Sequence, residues 1–222
     1  MSERKLKVGV LVSGSGSNLQ ALIDACAAPD HPAEIVLVLS NRPGVRALDR
    51  AEAAGIPAMA IDHKLYADRA TFDADMQKAL DEAGVEFICL AGFMRLLTPE
   101  FVEHWSGRMI NIHPSLLPSF KGLNVQQRAI DAGARFSGCT VHYVTPEMDV
   151  GPIIQQAVVP IHQNDTGDTL AARILVQEHR IYPASLRWIA ERRVRIEGER
   201  VFLDGATPPD AALLNPAPEQ AD

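Results

Sequence analysis

Leu6 to Val12 (LKVGVLV) is apolar at nearly every position instead of at alternate ones, and a Gly/Ser loop and a helical pattern from Asn18 follow it. A strand without a polar face has to be covered on both sides, and a parallel sheet with crossover helices on each face supplies that cover. The unit repeats. Glu34 to Leu39 reads as a second apolar strand, and Val45 to Ala54 as a helix closed by Gly55-Ile56-Pro57 ahead of a short strand at Ala58 to Ile61. Arg69 to Ala83 is a helix ended by Gly84, Val85 to Leu90 a central strand, Pro99 to Trp105 a short helix with Pro in its first turn, and Met109 to Ile112 a strand.

This alternation over about 110 residues predicts an α/β fold of Rossmann-like type: a mostly parallel central sheet with helices on both faces. The rhythm then changes. Ser137 to Val144 and Ile153 to Pro160 are β-rich runs joined by a turn-like Thr145 to Pro152, which predicts antiparallel β additions in the C-terminal part. A long helix is expected over Thr169 to Glu191, and a last hairpin over Val194 to Ile196 and Arg200 to Leu203, about Glu197-Gly198-Glu199. Residues 1–205 are expected to form a single domain, and 206–222, with Pro208, Pro209 and Pro216, a disordered tail.

Composition narrows the partners. The 222 residues carry a formal charge of −7, and no Lys/Arg run forms the basic stripe that a nucleic-acid backbone requires. Small-molecule substrates are expected, without nucleic acid; homo-oligomer formation stays open. The apolar start after Met1-Ser2-Glu3-Arg4-Lys5 is cut short at Gly14, too short for a signal segment or a membrane span, so no membrane association is expected. Cys26, Cys89 and Cys139 include no CxxC pair, which points to a reducing, cytoplasmic setting. The seven histidines include no HxH or HExxH, so no metal is expected.

Ser13-Gly14-Ser15-Gly16-Ser17-Asn18 joins the first strand to the first helix, where free backbone N–H groups and the helix dipole favour an anion. The dinucleotide fingerprint fails twice: Leu19 stands where the third glycine belongs, and Ser40-Asn41-Arg42 ends the second strand where an acid belongs. A phosphate is the ligand expected here, against the plainer reading of a tight turn capped by Ser17 or Asn18.

Asn111-Ile112-His113-Pro114 ends an apolar strand, and residues two apart in a strand share a face, so the carboxamide and the imidazole point the same way. Ser115 to Gly122, apolar and following Pro114 with a further Pro118, reads as a rigid wall, and neither Ser115 nor Ser119 lies in a GxSxG elbow. An amide donor beside a histidine suits acyl transfer to nitrogen, in which charge grows on a carbonyl oxygen and a proton must leave the amine. Asp149, in the Pro/Gly-bounded loop Thr145 to Pro152, is the leading carboxylate, with Glu147 as its competitor.

Four segments, SGSGSNLQAL (Ser13 to Leu22), LAGFMRLL (Leu90 to Leu97), MINIHPSLLPSFKG (Met109 to Gly122) and VHYVTPEMDVGPII (Val141 to Ile154), resemble the phosphoribosylglycinamide formyltransferase family of de novo purine synthesis, over about residues 5–205. The resemblance implies a formyltransferase-like fold and formyl transfer from 10-formyltetrahydrofolate, a co-substrate, to a ribotide amine. It implies that Gly16, Ser17 and Asn18 meet the phosphorylated substrate and Glu178 its ribose, that Asn111 and His113 polarise the formyl group, and that Asp149 holds the imidazole and relays the proton. Arg69, Met94, Arg95, Leu96, Leu97 and Asn111 would contact the folate. By spacing alone, Glu178 falls on a solvated helix face and Arg69 is a surface charge at a helix start. Many family members carry a histidine soon after Gly122, where Leu123-Asn124-Val125-Gln126-Gln127 stands here. Rival readings are a formyltransferase acting on initiator tRNA, which the acidic balance opposes, a hydrolase passing the formyl group to water, and a non-catalytic nucleotide-binding module.

Overall fold

The computed structural model describes residues 4–216. Its core is a seven-stranded sheet built from β1 (Leu6–Val12), β2 (Ala33–Ser40), β3 (Ala58–Ala60), β4 (Phe87–Leu90), β5 (Met109–His113), β6 (Phe136–Tyr143) and β7 (Ile153–Pro160), in the order β3-β2-β1-β4-β5-β6-β7. The first five strands pair in parallel, while β6 pairs antiparallel with β5 and β7 antiparallel with β6. This is the expected mostly parallel Rossmann-like sheet with antiparallel additions, and the last hairpin, β8 (Val194–Glu197) with β9 (Arg200–Leu203), forms a separate two-stranded sheet.

Helices α1 (Ser17–Cys26), α2 (Arg46–Ala53), α3 (Arg69–Glu82), α4 (Pro99–His104), α5 (Val125–Asp131) and α6 (Gly167–Ala190) cover the sheet. Alternation along each strand feeds two cores. Val8, Val10, Val12, Ile110 and Ile112 pack with Leu19 and Leu22 of α1 and with Ile174 and Leu186 of α6, whereas Leu11, Ile88, Leu90 and Met109 pack with Phe72, Met76 and Leu80 of α3 and with Phe101 of α4. Both faces of the central strands are thus apolar, which is why their sequence shows no period of two.

Some boundaries move. β4 begins at Phe87, two residues later than expected, and α6 begins at Gly167, where Thr166 and Thr169 cap its first turn reciprocally. The sequence reading assigns no element between Gly122 and Ser137, yet α5 is there: Val125 and Ala129, four apart, are buried. Residues 206–216 carry no helix or strand, and Asn215 donates to the carbonyls of Arg135 and Ile161; residues 217–222 of the expected tail lie outside the described residues.

In the strand order β2-β1-β4 the direction of chain progression reverses between β1 and β4, so the first loop and the loop after β4 flank one crevice at the carboxyl ends of the strands. An open α/β sheet binds ligands at such a point.

Candidate active site

β5 and β6 place the polar end of the site. Asn111 and His113 extend from the same face as Met109, toward the α3 and α4 side, and Asn111 is directly opposite His142 in the antiparallel register. The Asn111 amide donates to His142 Nε2 across 3.3 Å, while His142 Nδ1–H donates to the Tyr143 carbonyl at 2.9 Å. Burial pushes the His142 pKa down, which keeps the ring neutral with Nε2 free to accept. One Asn111 N–H is thereby committed, and its partner on the same nitrogen remains for a ligand.

His113 is buried, and its Nε2–H donates to the Phe120 carbonyl at 3.1 Å. Its other nitrogen lies 3.6 Å from Asp149 Oδ1, with both side chains under a tenth exposed, at 7% and 9%. Acceptors thus face both ring nitrogens. Asp149 is a non-glycine residue at φ 56°, and its second oxygen accepts from Gly122 N–H at 2.9 Å. The carboxylate is therefore fixed from two sides. Glu147, its competitor, lies in the exposed part of the same loop. Gly151 lets that loop return, since a Cβ there would run into the Tyr143 carbonyl.

The wall after β5 is laced to the sheet. Thr140 Oγ1 donates to Ser115 O at 2.7 Å and accepts from Leu117 N–H at 3.0 Å, and Gln156 donates to Leu117 O at 2.9 Å. The Ser115 hydroxyl donates to the Ser119 carbonyl at 2.7 Å, so it is committed within the wall and does not stand as a nucleophile beside a base.

A cavity of about 610 Å³ opens at this end of the sheet, with Asn111, His142 and Asp149 at its polar end and Leu90, Phe93, Leu97, Val102 and Val144 among its apolar lining. Met94, Arg95, Leu96 and Leu97 line it too, and Leu123 and Met148 stand exposed at its rim. An apolar slot with few polar groups at one end suits a flat, largely apolar heterocycle. Arg69, exposed at the first position of α3, does not line it.

The first loop is a separate construction. Gly16 sits at φ 71°, and a Cβ there would lie 2.7 Å from the Ala47 Cβ, so glycine is required both by conformation and by the close approach of α2. That approach brings Arg50 over the loop, where it donates to Ser15 O at 2.8 Å and to Gln20 at 2.9 Å. Ser17, Arg50 and His179 line a second cavity of about 360 Å³, and His179 Nε2 is buried without a hydrogen-bond partner among the described residues. Asn18 donates to Glu178 at 2.7 Å. Glu178 is only 7% exposed, which corrects the reading from spacing of a solvated helix face, and burial pushes its carboxyl pKa up despite the Asn18 amide. Sequence reasoning missed Arg50, His142 and His179, whose roles arise from pairings across elements.

Among the described residues, no group of three or more His, Cys, Asp or Glu side chains could hold a metal ion, and no helix is long and apolar enough to cross a membrane.

With this geometry in place, comparison with known proteins identifies the family: the formyl transferase profile matches residues 6–186. The chain belongs to the formyl transferase family. It is 42% identical to the phosphoribosylglycinamide formyltransferase of Haemophilus influenzae, over 94% of this chain and 99% of that one. It is 50% identical to the trifunctional purine biosynthetic protein adenosine-3 of Bos taurus over 87% of this chain, which spans 19% of that longer protein. The crystal structure of glycinamide ribonucleotide transformylase 1 from Symbiobacterium toebii superposes with a TM-score of 0.88 at 45% identity, over 91% of this chain and 95% of that one. The family fold is therefore carried nearly whole, first loop and polar strand end included.

Proposed function

We propose that the chain transfers the formyl group of 10-formyltetrahydrofolate to the amine of 5′-phosphoribosylglycinamide in de novo purine synthesis. The observation that carries this reading is the meeting of Asn111 and Asp149 at the polar end of an apolar slot, with His113 3.6 Å from Asp149, beside a glycine-formed anion loop, in a member of the formyl transferase family.

In this reading the slot takes the folate, with Met94, Arg95, Leu96, Leu97 and Asn111 as its contacts and Arg69, on the surface, meeting the acidic tail. Gly16, Ser17 and Asn18 receive the ribotide phosphate through backbone amides at the start of α1, with Arg50 as the neighbouring cation. Glu178 accepts from the ribose hydroxyls.

The amine nitrogen attacks the formyl carbon, and the carbonyl electrons move onto oxygen. The uncommitted Asn111 N–H stabilises that oxyanion, and a His113 imidazolium held by Asp149 and by the Phe120 carbonyl places a positive charge beside it. Asp149, directly or through water, accepts the proton the amine must lose; collapse expels folate N10, which takes up a proton. A ring that donates to the Phe120 carbonyl and faces the Asp149 carboxylate acts through its charge more than by handing on a proton.

The test mixes the protein with a 10-formylfolate and the ribotide and follows the folate absorbance. Deformylation that requires the ribotide is the expected result; loss of formyl without an acceptor would make the chain a hydrolase, and no turnover a binding module.

A further inference from the structure

The segment 91–98, between β4 and α4, forms no helix or strand, and burial does not hold its crest, since Met94 and Leu96 are 69% and 58% exposed. Its main chain is fixed by three N–H groups. Ala91 donates to Leu11 O at 2.9 Å, Met94 to the Ser13 hydroxyl at 2.7 Å, and Thr98 to Asp73 Oδ2 at 2.7 Å. The last two anchors are side chains from distant elements, each 3% exposed, and neither lines the large cavity.

Each anchor is itself aimed. A serine hydroxyl has one hydrogen, and Ser13 gives it to Asn41 Oδ1 at 2.6 Å, which leaves only lone pairs for the Met94 N–H. Asn41 in turn is fixed by His63, whose Nδ1–H donates to the Asn41 carbonyl at 2.7 Å. Asp73 is a buried carboxylate with no ion pair among the described residues, although the Arg95 and Arg69 charges act on it, and its Oδ1 has no hydrogen-bond partner. An arrangement that leaves a carboxylate oxygen buried and unmet is costly, and the one bond it makes is to the loop.

We propose that Ser13 and Asp73 are positioning residues that clamp the two halves of the 91–98 loop and so set the affinity of the large cavity for its folate, without touching the folate themselves. This rests on the reading that the cavity takes a folate.

The experiment measures calorimetric binding of tetrahydrofolate, which has no group to transfer, and separately of the ribotide, to the full chain and to variants matched for folded fraction by circular dichroism. Ser13→Ala and Asp73→Val are each expected to weaken folate binding about tenfold, the effect of losing one buried anchor, with ribotide binding changed less than about twofold. Asp73→Asn keeps an acceptor for Thr98 N–H and is expected to restore most of the affinity. Asn41→Leu should reproduce Ser13→Ala, and the double variant should be no weaker than either, because Asn41 acts by aiming the hydroxyl. Equal losses for both ligands, or no loss of folate binding, would overturn the clamp. If the unaltered chain binds no tetrahydrofolate, the functional reading itself fails and the clamp goes with it. Should Ser13→Ala not fold, the Asp73→Val and Asp73→Asn pair decides alone.

Discussion

The two walls of the large cavity are held by different physics. On one side Asn111 sits in a ladder between β4 and β6, with His113 two residues on and paired to β6, where register sets each side chain; on the other, residues 91–98 have no ladder and hang from a hydroxyl and a carboxylate. A ladder distributes its hold over many bonds, so one substitution there alters chemistry more than position. A loop held at single points responds the other way, and substitution of an anchor alters binding first. The difference predicts a division of effects: damage on the strand side shows in kcat, damage on the loop side in affinity.

The sharpest break of that division comes from His113 at the end of β5 and from Asp149, the loop residue fixed against it by two contacts. His113→Ala and Asp149→Asn are each expected to lower kcat by about a hundredfold or more, as loss of an electrostatic or proton-transfer group does. KM for either substrate should move only a few-fold. Steady-state kinetics decide it, and a rise in KM at unchanged kcat would put the trio among binding groups.

The first loop supplies a second test, smaller in its effect on turnover. Gly16→Ala adds a Cβ in the left-handed region and against Ala47, which together should cost about 2–4 kcal/mol of stability. The distortion falls on the Ser17 and Asn18 amides, so KM for the ribotide is expected to rise while KM for the folate stays. Denaturant unfolding and kinetics at saturating folate measure both, and an unchanged ribotide KM would separate the loop from the phosphate.

How much was legible in the sequence follows the same line between ladder and loop. Leu6 to Val12, Val85 to Leu90 and Met109 to Ile112 announced a two-sided parallel sheet because burial on both faces leaves an unbroken apolar run. The pairing of Asn111 with His113 was legible because a strand has a period of two. Asp149 was preferred to Glu147 from its loop alone, while the Gly122 and His113 contacts that hold it join residues 27 and 36 positions away and have no signal along the chain. The helix α5 escaped because its apolar signal is only Val125 and Ala129 beside polar glutamines, and its existence owes more to packing on α6 than to its own pattern. His142, Ser13 and Arg50 escaped for a related reason: each acts through one partner on another element, and no spacing along the chain encodes that. Glu178 was misread on spacing because the group that covers it, Asn18, belongs to a helix 160 positions away.

Glu178 yields the smallest effect and the finest test. Burial raises its carboxyl pKa, so the folded chain holds the proton more tightly than the unfolded chain does. Its contribution to stability is then fully present below the unfolded value, near 4.5, and is lost as pH rises through the raised folded value. Glu178→Gln keeps an oxygen to accept from Asn18 and removes the buried charge. The variant should match the unaltered chain in stability at low pH and gain on it steadily as pH rises toward neutrality, while binding the ribotide less well. Urea unfolding at a series of pH values gives the difference directly. If it is flat with pH, the carboxylate carries no burial penalty, and the idea that this helix keeps a costly charge for the ribose loses its physical basis.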